Sequence, residues 1–367
     1  MQNKLKVWEI IPTLGGGGAE KMVLDLSQGL GEKCDVTIIS LYGPELASAN
    51  RIEFADAQNL HVQYLNKKKG FDVKILWKLA GLIRKEKPDI IHSHIEAFQY
   101  VSVLSYFGGF VHVHTMHSIV GRESKVYQHL LMRASKYEKT YFVVLSEEIR
   151  KQMKSLFGTR DKRLYCIPNG IDRKHFYYVD RPIKNESLVF ITVGSLIPVK
   201  NQKMLIDAFS IVEKNRNNSD SLIILGDGSL KDELKKQIRQ KKMEDNVLMP
   251  GNVSDVRKYL FNADVFVMTS HYEGVSLALL EAASTGLPII VTNTGNTKSV
   301  VENDAILIED NNVAQLATEM QRIAENRDLR KQYIEKSINL SSRFDKNKMV
   351  HSYLGLYLKA MNEKKVK

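Results

Sequence analysis

"DVFVMTSHYEGVSLALLEAASTGLPIIVTN", residues 264–293, carries the pattern that decides the fold. Its ends, "DVFVMTS" (264–270) and "LPIIVTN" (287–293), are short β-branched and apolar runs, and "SLALLEAAS" between them has the composition of a helix. Strands joined through a helix run parallel, and near-continuous apolar strands belong to sheets covered on both faces. The same alternation fills the chain. In the front half the strand candidates are 5–11, 35–41, 89–94, 110–117, 140–146 and 164–169. In the back half they are 187–194, 221–227, 246–251, 264–270, 287–293 and 305–310. Six strands and then six more predict an α/β chain of two doubly wound parallel-sheet domains, over 1–180 and 181–345. The polar, aperiodic stretch 170–187 reads as the linker, and 346–367 as an amphipathic helix crossing back to the N-terminal domain.

At 367 residues each domain can bury its own core, and 43% apolar with 26% charged residues argues against disorder. Residues 1–180 hold 26 Lys and Arg against 19 Asp and Glu, a net of +7, whereas 181–367 carry a net of +4. The front half is therefore expected to favour an anionic partner. Cys34 and Cys166 fit no metal or disulfide pattern and read as free thiols in a reducing compartment. Glu9 and Pro12 break the first apolar run, so no secretory signal is expected. The most apolar long segment, 100–121, contains three histidines and a glycine pair, and reads as helix, turn and strand. A cytoplasmic protein, at most peripheral to a membrane, is the expectation.

In open α/β sheets, ligands bind beyond the carboxyl ends of the strands, and the glycine-rich turns fall there. "LGGGGAEKMVLDL" (14–26) follows the first strand and opens a helix near Ala19, an arrangement suited to phosphate or sugar approach. It is not a dinucleotide fingerprint: counting G-x-G-x-x-G from Gly15 ends on Glu20, and from Gly16 on Lys21. Lys200 in "VGSLIPVKNQ" precedes a helix whose opening amides, with the lysine, suit a diphosphate. Gly226 and Gly228 in "ILGDGSLKDEL" allow close approach, and Asp227 reads as a turn or capping residue. No D-x-D pair follows a strand, so no bound metal is expected. His92, His94, His114 and His117 lie near strand ends without Cys or carboxylate among them. They argue against zinc and leave His117 as a cleft histidine beside a reacting group. Residues 66–89 read as a basic helix seated on the sheet by Ile75, Leu76, Leu79, Leu82 and Ile83, with Trp77 and a lysine rim left for an anionic membrane.

Two glutamates remain in the opening stretch. Glu273 follows a strand, and Glu281 lies inside the next helix. At 1.5 Å per residue their side chains are roughly 8–12 Å apart along the helix direction. That exceeds the ~5 Å of a retaining-glycosidase carboxylate pair. It suits two contacts on one elongated ligand, with the ribose–diphosphate–sugar layout of a nucleotide sugar.

Here the chain resembles a known family. The E-x7-E of Glu273 and Glu281, with "GGGGAEKMVLDLSQGL", "DIIHSH", "HTMH", "IPNGID", "VGSLIPVK", "ILGDG" and the run from Ser254 to Ile290, is similar to the retaining GT-B glycosyltransferases of the large family four. The resemblance implies two Rossmann-like domains facing a central cleft. It implies Glu281 on the ribose hydroxyls, Glu273 on a donor-sugar hydroxyl, and Lys200 with the amides of Gly274, Val275, Ser276 and Leu277 on the diphosphate. Gly16 and Gly17 are implied to approach the phosphate, His117 to lie over the reacting sugar, and Ser195 and Gly226 to line the donor site. Transfer with retention, without metal or other cofactor, is the implied activity. The acceptor would be a glycan, lipid-linked in the setting of bacterial surface polysaccharide assembly, and no nucleic acid is expected. A GT-B nucleotide-sugar epimerase and a non-catalytic sugar-nucleotide binder are the alternatives. Two departures stand out: Ser195 replaces an arginine common in relatives, and "TGNTKSVV" (294–301) replaces the usual Gly-Gly and following Glu with Asn296 and Ser299.

Overall fold

The computed structural model describes residues 4–117, 124–184, 186–216 and 220–365. Two compact units divide the chain: residues up to Gly170 with those from Lys346 onward, and Ile171–Asp345. The sequence had drawn this boundary at 180.

Among the described residues the first unit holds seven strands: β1 (Leu5–Ile11), β2 (Cys34–Ser40), β3 (His61–Tyr64), β4 (Ile90–His94), β5 (Val111–Met116), β6 (Thr140–Val144) and β7 (Leu164–Cys166). They are parallel, in the order β3-β2-β1-β4-β5-β6-β7. The second holds β8 (Val189–Val193), β9 (Ser221–Leu225), β10 (Val247–Gly251), β11 (Val265–Met268), β12 (Ile289–Thr292) and β13 (Ile306–Ile308), also parallel, in the order β10-β9-β8-β11-β12-β13. Seven and six replace the expected six and six. The added strand, β3, is a four-residue edge strand that is half-buried and partly polar, so it carries no apolar run.

Both faces of the first sheet are covered, as apolar parallel strands require. Helix α1 (Gly18–Leu30) packs Met22, Val23 and Leu26 with Val7 and Ile11 on one face. Helix α2 (Val73–Glu86) packs Ile75 and Leu79 with Trp8, Ile10 and Ile39 on the other. Leu76, Leu82 and Ile83 join this packing, as the sequence predicts. The helix is shorter than the predicted 66–89. The Asp72 side chain accepts from the Lys74 N–H at 3.0 Å and caps its start, while residues from Asn66 form the approach to that cap.

In the second unit, helix α3 (Gln202–Asn215) buries Leu205 and Phe209 against Phe190 and Ile224. Helix α4 (Leu277–Ser284) lies between β11 and β12. The terminal helix α5 (Lys346–Lys365) packs on the first unit, where Met349, Tyr353, Leu356 and Tyr357 enter the core beside α1. Among the described residues no helix is long and apolar enough to cross a membrane.

The supposed linker 170–187 is instead fastened to the second unit. Ile171 and Phe176 are buried, and the Phe176 carbonyl accepts from the Ser284 hydroxyl. Arg181 donates to the carbonyls of Leu260, Phe261 and Thr285 at 2.9 to 3.0 Å. These partners lie about a hundred residues away, which is why the stretch looked aperiodic.

Gly226 shows why one glycine is needed. Its φ is +134°, and a Cβ there would lie 2.0 Å from the carbonyl oxygen of Gly194. Gly226→Ala is expected to cost at least about 2 kcal/mol through an unfavourable backbone and a backbone clash. Denaturant unfolding checks this, and wild-type stability would show that the turn yields.

Candidate functional site

Each sheet reverses its strand order at one point, between β1 and β4 and between β8 and β11. Crevices beyond the strand ends at such points are the usual ligand sites of this architecture. The residues singled out in the sequence lie on segments that follow β1 and β5 in the first unit, Gly16, Gly17 and His117, and on segments that follow β8, β9 and β11 in the second, the others.

In the second unit the loop after β8 ends in the turn Pro198–Lys200, directly before α3. Thr269 at the end of β11 donates to the carbonyls of Lys200 and Asn201, at 3.2 and 2.9 Å, and ties the two loops together. The His271 N–H adds a bond to the Val199 carbonyl at 2.8 Å. This scaffold brings Lys200 Nζ onto Glu273 Oε1, and Ser270 Oγ donates to the same oxygen at 2.9 Å. The side chains of Lys200 and Glu273 are 25% and 12% exposed, so the pair is partly screened from water yet reachable.

Beyond Glu273, Gly274 and Ser276 are half-buried, and Val275 and Leu277 are buried. Ser276 caps α4, accepting from the Leu279 N–H at 3.5 Å. Glu281, one turn further on, is 7% exposed in a helix that also buries Leu277, Leu279, Leu280, Ala282 and Ala283. The helix start supplies amides and positive dipole to an anion, the buried carboxylate an acceptor for hydroxyls.

The remaining donor-site expectations divide. Ser195 is exposed, and its carbonyl accepts from Gln202 Nε2 at 3.0 Å. Gly226 packs on the Gly194 carbonyl, so the local backbone alone accounts for that glycine. Asp227 is a turn residue, accepting from the Gly228 N–H at 2.8 Å and from Lys231 Nζ at 2.7 Å. Asn296 is a surprise: its N–H donates to the Glu273 carbonyl at 3.1 Å, and its 1%-exposed side chain has both polar atoms without a partner. Ser299 donates to the Asn296 carbonyl at 2.8 Å.

In the first unit α1 begins at Gly18, with Gly17 as its cap residue. Gly16 and Gly17 are exposed, and a Cβ on Gly16 would meet nothing within 4 Å. At Gly17 a Cβ would lie 2.5 Å from a Glu20 carboxylate oxygen. Glu20 thus folds over its own helix start, and burial raises its pKa above the ordinary value. An incoming phosphate would have to displace it.

His117 lies just past β5, with its Nε2 2.9 Å from His94 Nδ1. Burial, then the neighbouring His94 and His92, holds it well below its ordinary pKa. The four histidines do not form one set. His92, His94 and His117 share a face, whereas His114 points to the other, between Ser93 and Tyr127. The sequence reading also denied these histidines a carboxylate, and the structure corrects it: Glu9 of β1 lies opposite His92 in register. Its Oε2 is 2.7 Å from His94 Nε2 and 2.9 Å from His92 Nδ1. The available signal was a lone acid in the middle of "LKVWEII".

Comparison with known proteins settles the class. Residues 176–340 match the family model described as "Glycosyl transferases group 1", and residues 16–175 match "Glycosyltransferase Family 4". The UDP-Gal:alpha-D-GlcNAc-diphosphoundecaprenol alpha-1,3-galactosyltransferase of Escherichia coli is 30% identical over 303 residues, 77% of this chain and 76% of that protein. The chain belongs to glycosyltransferase family 4. This glycosyltransferase is also 24% identical to the capsular polysaccharide biosynthesis glycosyltransferase CapH of Staphylococcus aureus, over 81% of its own length and 83% of the relative's. The solved structure of Anabaena Alr3699/HepE in complex with UDP and glucose superposes with a TM-score of 0.83. It covers 97% of the glycosyltransferase and 100% of that chain at 18% identity, which establishes the GT-B fold of two parallel-sheet units.

Proposed function

We propose that this glycosyltransferase moves one hexosyl or N-acetylhexosaminyl group from a UDP-sugar to a lipid-diphosphate-linked glycan. The setting is assembly of a bacterial surface polysaccharide, capsule, exopolysaccharide or O-antigen, on the cytoplasmic side of the membrane. The observation that carries the donor reading is the Lys200–Glu273 pair at the reversal point of the second sheet, with the start of α4 and buried Glu281 beyond it. Lys200 and the amides of residues 274–277 would take the diphosphate, Glu273 a sugar hydroxyl, and Glu281 the ribose hydroxyls. Gly16 and Gly17 leave backbone exposed for phosphate approach, and His117 contacts a substrate sugar. Support for UDP and for a lipid diphosphate comes from the E. coli relative, a UDP-Gal:alpha-D-GlcNAc-diphosphoundecaprenol galactosyltransferase, and from the Anabaena protein's complex with UDP and glucose.

Chemically, the C–O bond between the sugar and the diphosphate breaks, and a new one forms to the acceptor hydroxyl on the same face. The leaving phosphate oxygen takes the acceptor proton. Developing negative charge on the diphosphate is met by Lys200 and oriented amides, so the residues present supply the stabilisation for which other transferases use a divalent ion. No metal or other cofactor is needed in this scheme.

Thermal shift with UDP-, GDP-, ADP- and dTDP-sugars tests the donor assignment. UDP-sugars are expected to raise the unfolding midpoint most, because a ligand at a hundred times its Kd adds about 2.7 kcal/mol. A larger shift with another nucleotide would overturn the choice of UDP. Membrane contact is a separate prediction. Phe71, Val73 and Trp77 are 55%, 55% and 73% exposed at the start of α2, among exposed Lys68, Lys69 and Lys74. Sedimentation with phosphatidylglycerol vesicles should exceed that with phosphatidylcholine, fall with salt, and weaken in Trp77→Ala. Equal partition onto both lipids would remove the membrane from the account.

A further inference from the structure

Six polar side chains with no solvent exposure, Glu9, His92, His94, Thr115, Tyr353 and Tyr357, form one hydrogen-bonded circuit between the first sheet and α5. Glu9 accepts at both oxygens: Oε2 lies 2.7 Å from His94 Nε2, and Oε1 lies 3.0 Å from the Tyr357 hydroxyl. That hydroxyl is 2.6 Å from His92 Nδ1, and His92 Nε2 is 2.7 Å from Thr115 Oγ1. Thr115 Oγ1 is in turn 3.0 Å from the Tyr353 hydroxyl. On its other side His94 reaches outward, its Nδ1 2.9 Å from His117 Nε2.

The protons can be placed one after another, because each ring nitrogen and hydroxyl has a defined capacity. Burial pushes Glu9 up, but His92 and His94 beside it prevail and bring it down to about 2, so it is a carboxylate that only accepts. Burial, with His92 adding to it, lowers His94 to about 4, so near neutral pH this ring carries a single N–H. A lone pair facing a carboxylate would be repelled, so that N–H points from Nε2 to Glu9. Nδ1 of His94 is left bare and must accept the proton of His117 Nε2. His117 is neutral as well, and its own Nδ1 therefore carries a lone pair. The far branch closes consistently, with Tyr353 donating to Thr115, Thr115 to His92, and Tyr357 to Glu9.

A metal ion is a poorer account of the same atoms. Glu9, His92 and His94 offer ligand atoms within 4.8 Å of one another, but the two contacts to the carboxylate are at 2.7 and 2.9 Å. Ligands on a tetrahedral zinc stand about 3.4 Å apart. The observed spacing is that of hydrogen bonds.

We propose that Glu9, acting through His94, is a positioning residue that fixes His117 in the Nε2-protonated tautomer and so presents a bare Nδ1 to the substrate. This rests on the reading of His117 as a substrate-contacting residue and sharpens it. A bare nitrogen accepts hydrogen bonds and is repelled by phosphate oxygens. The group it takes is therefore a sugar hydroxyl, and diphosphate binding falls to other residues. Helix α5 belongs to this device because Tyr357 and Tyr353 hold Glu9 and His92 in place.

The test is nitrogen NMR of the histidine rings in the full chain, without substrate, near pH 7. His117 is expected to show the Nε2–H tautomer in the wild type, and Glu9→Gln to replace it with a mixture or with the Nδ1–H form. The same variant, checked for folding by amide exchange, should lose roughly ten- to a hundredfold in kcat while leaving donor KM largely in place. A wild-type His117 that is Nδ1-protonated or cationic would overturn the proposal even if Glu9→Gln fails to fold. An unchanged tautomer in a folded Glu9→Gln would overturn it equally. A His117→Ala variant that transfers sugar at the wild-type rate would overturn the substrate role of His117 itself. That outcome is separable, because the tautomer is read without turnover.

Discussion

Lys200→Ala is expected to lower kcat/KM for the nucleotide sugar by about ten- to a hundredfold, equivalent to about 1.5–3 kcal/mol for a lost charge-assisted contact. The upper part of that range is favoured for a structural reason. The family resemblance implies an arginine where this chain has an exposed Ser195, and Lys200 is the one cation in the sequence of the 194–201 loop. Lys200 also holds Glu273, which is 12% exposed in the intact pair, and its removal leaves that carboxylate with Ser270 as its remaining described side-chain partner. Two donor contacts are then disturbed by one truncation. Glu273→Gln in the Lys200→Ala background should cost less than in the wild type, since paired residues are not additive. Additive losses in this double-mutant cycle, or wild-type kinetics in Lys200→Ala, would show that the pair does not serve the donor.

Tyr357→Ala should be the most destabilising of the substitutions considered, costing about 3–5 kcal/mol as for other buried aromatic truncations. The ring is fully buried in the core shared by β1, α1 and α5, and its hydroxyl donates to Glu9 at 3.0 Å. Truncation removes both the packing and a donor to a buried carboxylate, and unsatisfied buried charge is itself expensive. Tyr357→Phe isolates the second part, at about 1–3 kcal/mol. Because the chain has two units, one unfolding midpoint would blur the effect. Amide exchange resolves it: protection should fall in β1 and β4 and stay unchanged in β8 and β11. A uniform loss across both sheets, or a cost below about 1 kcal/mol, would contradict the packing described for α5.

The strands most visible in the sequence were those buried on both faces, such as "DVFVMTS" and "LPIIVTN", because covered parallel strands are apolar almost throughout. β3 escaped notice because an edge strand of four residues has no such run. Helix α2 was visible through its apolar stripe but overextended, since the lysines before Asp72 continue the charge pattern although the cap breaks the backbone. The residues proposed for the donor, Lys200, Glu273, Ser276 and Glu281, could be singled out in the sequence because they sit in short motifs that follow strands. Glu9 was not. Its partners come from β4 and α5, as far away as Tyr357, and a single acid in an apolar strand does not reveal what satisfies it. Asn296 was visible only as a departure from a family pattern, and its buried, unpartnered amide beside Glu273 emerged from the fold.

The most direct test of the account is product analysis. The wild-type protein is incubated with a UDP-hexose or UDP-N-acetylhexosamine and an undecaprenyl-diphosphate-linked sugar acceptor, with excess EDTA. The anomeric configuration of the product is then read by NMR. The account predicts UDP release that depends on acceptor, persists in EDTA, and yields an α-linked product from the α-linked donor. A β-linked product, or transfer abolished by EDTA and restored by a divalent ion, would contradict it.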